Sequence, residues 1–172
     1  MVIIQKKNVL DKSTNNYLND IINNQSFPWF FLSNSALGGK EVEDNYSWVH
    51  LLYTEKRANS EWYPKFELSI KKIIDSFNLK GELYRARIGL HTSMNKQIVG
   101  TPHVDTDIPH KVILYYINQS DGSTYFYDNK KIIKKVNPVC NSALCFDGEF
   151  MHSSSKPIKS MKRLVLNLNI LV

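Results

Sequence analysis

"GTPHVDTDIPHKVILYYIN" runs from Gly100 to Asn118, and its two halves carry different information. The second half, Val112 to Ile117, is an unbroken apolar and aromatic run of the length expected for a buried strand. The first half places His103 and Asp105 two residues apart, directly ahead of that strand. In an extended chain, residues i and i+2 point to one face. An imidazole nitrogen and a carboxylate oxygen can therefore aim at a common point. Such a pair is an incomplete metal site, and the missing ligand must come from elsewhere in the chain.

Short strands continue on both sides of this stretch. "LYRARIGL" precedes it, and "STYFYD", "KIIKKVN", "SALCF" and "RLVLNLNILV" follow, separated by turn signals such as "QSDGS", "NP" and "FDGE". Many short strands at close intervals predict a jelly roll or barrel, mainly β with supporting helices. The first 82 residues read as a mixed support region and residues 83–172 as the β core, together one domain over 1–172. Within the support region, "LDKSTNNYLNDIIN" places Leu10, Tyr17, Leu18 and Ile21 at helical spacing. "SEWYPKFELSIKKIIDSFNLKG" predicts the longest helix, with Ser60 as N-cap, Phe66, Ile70, Ile73, Ile74 and Phe77 on one face, and Gly81 as the stop. "FPWFFLS" and "SWVHLLY" read as extended.

The chain has 172 residues, 42% of them apolar and 12% aromatic, which suits a globular domain. No run approaches the ~18 consecutive apolar residues of a membrane-spanning helix, and the first residues lack the order of a signal peptide. A cytoplasmic setting is expected, the host cytoplasm if the source is viral. Cys140 and Cys145, the two cysteines, do not form a CxxC pair and read as reduced thiols in a β-rich core. A net charge of +6 could suit an acidic partner. Lys6, Lys7, Lys71, Lys72, Lys130, Lys131, Lys134 and Lys135 are scattered, however, and no arginine-rich run interleaves with aromatics. That argues for a solvated surface over a nucleic-acid footprint.

The final strand is strictly two-sided. Leu164, Leu166, Leu168 and Ile170 fall on one face, and Arg163, Val165, Asn167 and Asn169 on the other. "LYRARIGL" is split likewise, with Arg85, Arg87 and Gly89 opposite Tyr84, Ala86, Ile88 and Leu90. A polar face normally turns to water. In a barrel that holds a polar ligand it can line the cavity instead, with helices covering the apolar side.

Of the five histidines, His50, His91 and His110 have no partner at ligand spacing in their own segments and read as surface or satisfied core residues. His152 differs, because it follows an apolar strand and a Gly-containing turn in "SALCFDGEFMH". Asp105 to His152 is 152 − 105 = 47 residues, and His152 to Arg163 is 163 − 152 = 11. Taken alone, Arg163 is a surface arginine at a strand start.

"HVD", His152 and Arg163 together resemble the HxD…H…R signature of the Fe(II)/2-oxoglutarate-dependent dioxygenases. "VILYYIN", "DGSTYFYD", "NPVCNSALCFDG" and "MHSS" resemble the prolyl-4-hydroxylase-like branch, in its small phage and bacterial forms. The resemblance covers about Leu83 to Val172. It implies a double-stranded β-helix in which His103, Asp105 and His152 hold Fe(II) and leave open positions for 2-oxoglutarate and O2. Arg163 would offer a planar, two-point donor to the distal carboxylate of 2-oxoglutarate. Tyr116, on the face of Val112 and Leu114, would hydrogen-bond the same carboxylate, with Tyr115 packed on the other side. Arg87 and Arg85 would contact the cosubstrate or the primary substrate, although a solvated face explains them as well. Relatives often carry a tyrosine upstream of HxD for the chelating end of the cosubstrate. "HTSMNKQIVGTPHVD" has none.

The activity so implied is hydroxylation of a primary substrate, with succinate and CO2 as coproducts; a peptidyl proline or another amino-acid side chain leads. The alternatives are a cupin-like metal-binding module without turnover, a metalloenzyme independent of 2-oxoglutarate, and a nucleobase-directed oxygenase. "SNSALGGKEVEDNYS" (Ser33 to Ser47) and "HTSMNKQIVG" (His91 to Gly100) read as lids, and "SSSKPIKSM" as an extended hairpin.

Overall fold

The alternation along the last strand decides how the layers stack. The structure, a computed structural model, describes residues 2–33 and 45–172. Its elements are β1 (Ile3–Lys7), α1 (Lys12–Asn23), β2 (Phe30–Leu32), β3 (Ser47–Thr54), β4 (Arg57–Ala58), α2 (Tyr63–Ser76), β5 (Glu82–Thr92), β6 (Lys111–Tyr116), β7 (Thr124–Asp128), β8 (Lys131–Val136), β9 (Ser142–Asp147), β10 (His152–Ser154) and β11 (Lys162–Leu171). The main antiparallel sheet has the order β1-β9-β6-β11-β5-β3-β2, with β4 beside β3. A smaller sheet, β10-β7-β8, lies opposite, and isolated bridges Val99–Ser155 and His103–His152 add the segment before β6 to its β10 edge. Two facing antiparallel sheets with the chain crossing between them form the jelly roll, or double-stranded β-helix.

The apolar face of β11 packs under the helices. Leu164, Leu166, Leu168 and Ile170 join Ala86 and Ile88 of β5 and Tyr115 of β6, against Leu18 and Ile22 of α1 and Phe66, Ile70 and Ile73 of α2. Each such side chain contributes about 1.5–3 kcal/mol when fully buried. The opposite face of the same sheet looks between the sheets. There Val112, Leu114, Tyr116 and Val165 meet Phe126, Leu144 and Phe146. Tyr115 and Tyr116 thus part to opposite sides, as strand alternation requires.

Several local expectations are corrected. Tyr17 is 48% exposed, and Asn15 takes its place on the buried side of α1, where it accepts a hydrogen bond from the Tyr115 hydroxyl at 2.6 Å. Asp11 caps that helix by accepting from the Thr14 backbone N–H. Ser60 is not the N-cap of α2. It accepts from the Trp62 N–H and pairs with His50, while Pro64 sits in the first turn. The helix stops before Gly81: it ends ahead of Asn78, whose φ of 53° is left-handed. Gly81 instead lets the chain pass Leu171, whose carbonyl oxygen would lie 2.2 Å from an added Cβ.

Most of the expected Ser33–Ser47 lid, residues 34–44, lies outside the described residues. The His91–Gly100 segment is not a free lid. Ser93 and Met94 donate backbone hydrogen bonds to Met161 and Pro157, Gly100 donates to Ser154, and Ile98 accepts from Lys156. "SSSKPIKSM" is not a hairpin either. After β10 it wraps around Asp121, whose carboxylate accepts from the backbone N–H groups of Ile158, Lys159 and Ser160. No helix among the described residues is long and apolar enough to cross a membrane.

Candidate metal and cosubstrate site

The His103–His152 bridge is the hinge of the site. His103 N–H donates to the His152 carbonyl at 2.9 Å, and His152 N–H donates back at 3.0 Å. The backbone thereby locks the two rings side by side, with centroids 4.9 Å apart. Each ring also donates from Nδ1 to a carbonyl two residues earlier, Thr101 for His103 and Phe150 for His152, both at 2.9 Å. A carbonyl can only accept, so Nδ1 carries a proton and Nε2 is the nitrogen left to face a metal. Burial pushes the His152 imidazole toward its neutral form against the pull of Asp105.

Asp105 completes the group. One ligand atom from each of His103, Asp105 and His152 lies within 4.8 Å of the others. The Asp105 carboxylate is held from three directions. Asn167 and Asn169 donate to Oδ2 at 3.0 and 2.9 Å, and the Arg85 guanidinium lies 2.9 Å from Oδ1. Arg85 Nε in turn donates to Asn169 Oδ1 at 2.7 Å. Burial raises the Asp105 carboxyl, but His152, Arg85, Arg87 and the Asn169 hydrogen bond outweigh it and hold the group well below the usual carboxylate range. With both lone pairs of Oδ2 engaged and Oδ1 shared with Arg85, the carboxylate can spare one direction. It is built to grip a metal through a single oxygen. Two neutral imidazoles and one such carboxylate are the donor set of a facial triad, which suits Fe(II) with positions left open.

From the triad a narrow cavity of about 60 Å³ runs inward between the sheets. The inward faces of β5 and β11 line it, with Arg87 midway and His91 and Arg163 deeper. Arg163 is 4% exposed. Its Nη2 donates to Thr124 Oγ1 at 3.0 Å, and its Nε is buried with no partner. Arg87 Nε and His91 Nδ1 are also buried without partners. Among the described residues the lining contains no Asp or Glu. Buried donors of this kind are costly unless an acceptor reaches them. The wall therefore fits an anion.

The residues singled out in the sequence fall into two groups. His103, Asp105, His152, Arg163 and Arg87 all face this cavity or its mouth. Tyr116 stands behind the wall: its hydroxyl pairs with Thr124 Oγ1 at 2.7 Å, and Thr124 is the residue that faces the cavity. Burial raises the Tyr116 phenol, countered by Arg163 and Thr124, so it stays protonated. His50 is a satisfied core residue, bonded to Pro28 and Ser60. His91 is neither surface nor satisfied. The alternation of "LYRARIGLH" already set it on the face of Arg85 and Arg87, a signal that a search by ligand spacing passes over.

No protein-family model matches the chain, and no curated protein matches it. Solved structures do. An oxidoreductase of the 2OG-Fe(II) oxygenase family from Burkholderia pseudomallei superposes with a TM-score of 0.71 at 12% identity, covering 99% of this chain and 84% of that one. The chain has the 2OG-Fe(II) oxygenase fold. A prolyl hydroxylase from Trichoplax adhaerens, in complex with a peptide fragment of the hypoxia inducible factor oxygen degradation domain, shares this fold with a TM-score of 0.69, 16% identity and coverage of 98% and 83%. The viral collagen prolyl hydroxylase of Paramecium Bursaria Chlorella virus-1, in its 2OG complex, gives 0.62, 15%, and 99% and 96%. In this chain the His103, Asp105 and His152 group lies where β10 and the HxD segment meet.

Proposed function

We propose that this chain is an Fe(II)- and 2-oxoglutarate-dependent oxygenase, with His103, Asp105 and His152 as the metal ligands. The observation that carries the reading is Arg163. A buried guanidinium with a spare Nε–H, at the inner end of a cavity whose mouth holds two histidines and a carboxylate, serves no purpose in a plain metal-binding module. It suits the distal carboxylate of a five-carbon diacid. Arg87, lying between Arg163 and the triad, takes the carboxylate at the chelating end. It fills the place of the tyrosine that the HxD upstream segment lacks. Thr124 holds the Arg163 fork in position, and Tyr116 holds Thr124.

Bound Fe(II) would supply the redox chemistry that couples decarboxylation of 2-oxoglutarate to hydroxylation of the primary substrate by O2, giving succinate and CO2. The chain's own contribution is to fix the ligands, screen the anion from water, and hold both imidazoles through Nδ1 so that Nε2 is free to turn to the metal. We infer an amino-acid side chain within a peptide, with proline first, as the substrate. Prolyl hydroxylases are among the structural neighbours, one of them in complex with a peptide fragment. An open groove of about 470 Å³, lined by Pro28, Phe30, Leu51 and Trp62 together with the polar Asn59, Ser60 and Glu61, shares Val49 with the cavity and offers room for an extended segment.

Titrating 2-oxoglutarate into the anaerobic Fe(II) protein should produce a metal-to-ligand charge-transfer band, and admitting O2 should produce succinate. A protein that binds Fe(II) but gives neither is a metal-binding module. Incubation with candidate peptides, read by mass spectrometry for the mass of one added oxygen atom, then identifies the substrate.

A further inference from the structure

His91 is the residue of the cavity that the reading above leaves without work. It sits on β5 directly across from Arg163 on β11. Side chains opposed in this way on one face have Cβ atoms about 4.5–5.5 Å apart. It is 7% exposed, lines the cavity, and has a buried Nδ1 with no partner.

We propose that His91 is a third contact for the distal carboxylate of the cosubstrate and takes up a proton when that carboxylate binds. The inference rests on the oxygenase reading, and it adds a proton to the binding equilibrium. The charged groups that act on His91 are Arg163 on β11, Lys156 after β10 and Arg87 on its own strand. Lys156 is itself buried, its ammonium over the Tyr46 ring at 3.1 Å. Burial first, then Arg163, Lys156 and Arg87, hold the empty-pocket imidazole well below its ordinary value. A neutral imidazole has one N–H and one lone pair. A carboxylate seated on Arg163 would meet that lone pair or a single donor. It also offsets most of the positive field on the imidazole, because a dianion enters a space where the surrounding charges are Arg87, Arg163 and Lys156. Protonation then converts both ring nitrogens to donors and satisfies Nδ1. Arginine cannot respond in this way, because it stays charged throughout. His91 is the group on that wall able to match its charge to the ligand.

The test is isothermal titration of the anaerobic Fe(II) protein between pH 6 and 7.5, in buffers of different ionisation enthalpy, which counts protons taken up per ligand bound. The two probes are 2-oxoglutarate and 2-oxovalerate, a keto acid of the same length without the distal carboxylate. The expected result is an excess uptake of up to about one proton with 2-oxoglutarate, lost in His91→Gln, and a 2-oxoglutarate affinity that falls up to about tenfold per pH unit as the proton becomes scarce. Equal proton counts for the two keto acids in the parent protein would overturn the proposal whether or not the variant folds. So would an excess that survives in a folded His91→Gln protein. If the parent protein binds neither keto acid, the oxygenase reading itself fails, and this inference with it.

Discussion

The two ends of the cavity are built on opposite principles. At the mouth, polar groups close on one another: Asp105 has two amides and a guanidinium, and Arg85 and Asn169 hold each other. At the inner end, donors outnumber acceptors, and Arg87, His91 and Arg163 each retain a buried nitrogen with no partner; at the mouth the atoms left over are Arg85 Nη2, which still lies 2.9 Å from Asp105, and Asn167 Oδ1. A network in which charges meet opposite charges is rigid and fixes geometry, which a metal site needs before the metal arrives. A wall of donors without acceptors carries a cost that a bound anion relieves. The mouth is organised by the protein, whereas the inner end is organised by what it binds.

The strongest way to break this contrast is to remove the charge at the inner end. Arg163→Ala should weaken 2-oxoglutarate binding by ~2–5 kcal/mol, since a buried carboxylate loses both charge and fork. That is roughly thirtyfold to several-thousandfold at ~1.4 kcal/mol per decade. Fe(II) affinity should be unchanged. Equal 2-oxoglutarate affinity in the two proteins, measured by the charge-transfer band, would remove Arg163 from the site.

The mouth should respond the other way. Asn169→Leu keeps the volume but deprives Asp105 of one donor and Arg85 Nε of its acceptor. Loss of such a support around a metal ligand typically costs about 10–100-fold in metal affinity. Competition with a chelator would measure it. If 2-oxoglutarate binding fell while metal affinity held, the assignment of the two ends would be reversed.

Much of this was legible in residues 100–172. HxD at period two, a turn-borne histidine and a two-sided last strand point to a jelly roll with a polar interior. What stayed hidden was contact between strands distant in sequence. Asn167 and Asn169 read as a polar face, but nothing local shows that both amides converge on Asp105, over sixty residues away. Thr124 was invisible because its role depends on β7 facing β11 across two sheets. Tyr116 was placed on the correct face, yet a face does not say which atom reaches the ligand first. At the helix ends, backbone conformation at Asn78 outweighed the glycine three residues later.

Acid should separate the ends by a smaller margin. Buried His91 has a folded-state value below the unfolded value near 6.5. The sign follows: its contribution to stability is fully present above about pH 6.5 and is lost as pH falls toward the folded value, because only the unfolded chain takes up the proton there. Asp105, also depressed, stays charged through this window, whereas His152, lowered by burial, adds to the slope of the metal-free protein with the same sign, so the His91 share is read from the variant. Thermal melts of the metal-free protein should fall in Tm between pH 7 and 5. His91→Gln should remove part of that slope, at most ~1.4 kcal/mol per pH unit. An identical slope would mean that His91 does not titrate on unfolding.

The smallest effect belongs to Tyr116, and it is the most discriminating. Its hydroxyl touches Thr124 Oγ1, which also accepts from Arg163. In Tyr116→Phe the threonine keeps the arginine bond, so the guanidinium keeps its place. One hydrogen bond between buried neutral groups is lost, worth about 0.5–1.5 kcal/mol. The 2-oxoglutarate affinity should then fall only about two- to tenfold. Thr124→Val should cost more than Tyr116→Phe, because it strands Arg163 Nη2 and the phenol together. The order of the two variants is the measurement. If Tyr116→Phe were the costlier change, the phenol would touch the carboxylate directly, and the wall would be Tyr116 with Thr124 behind it.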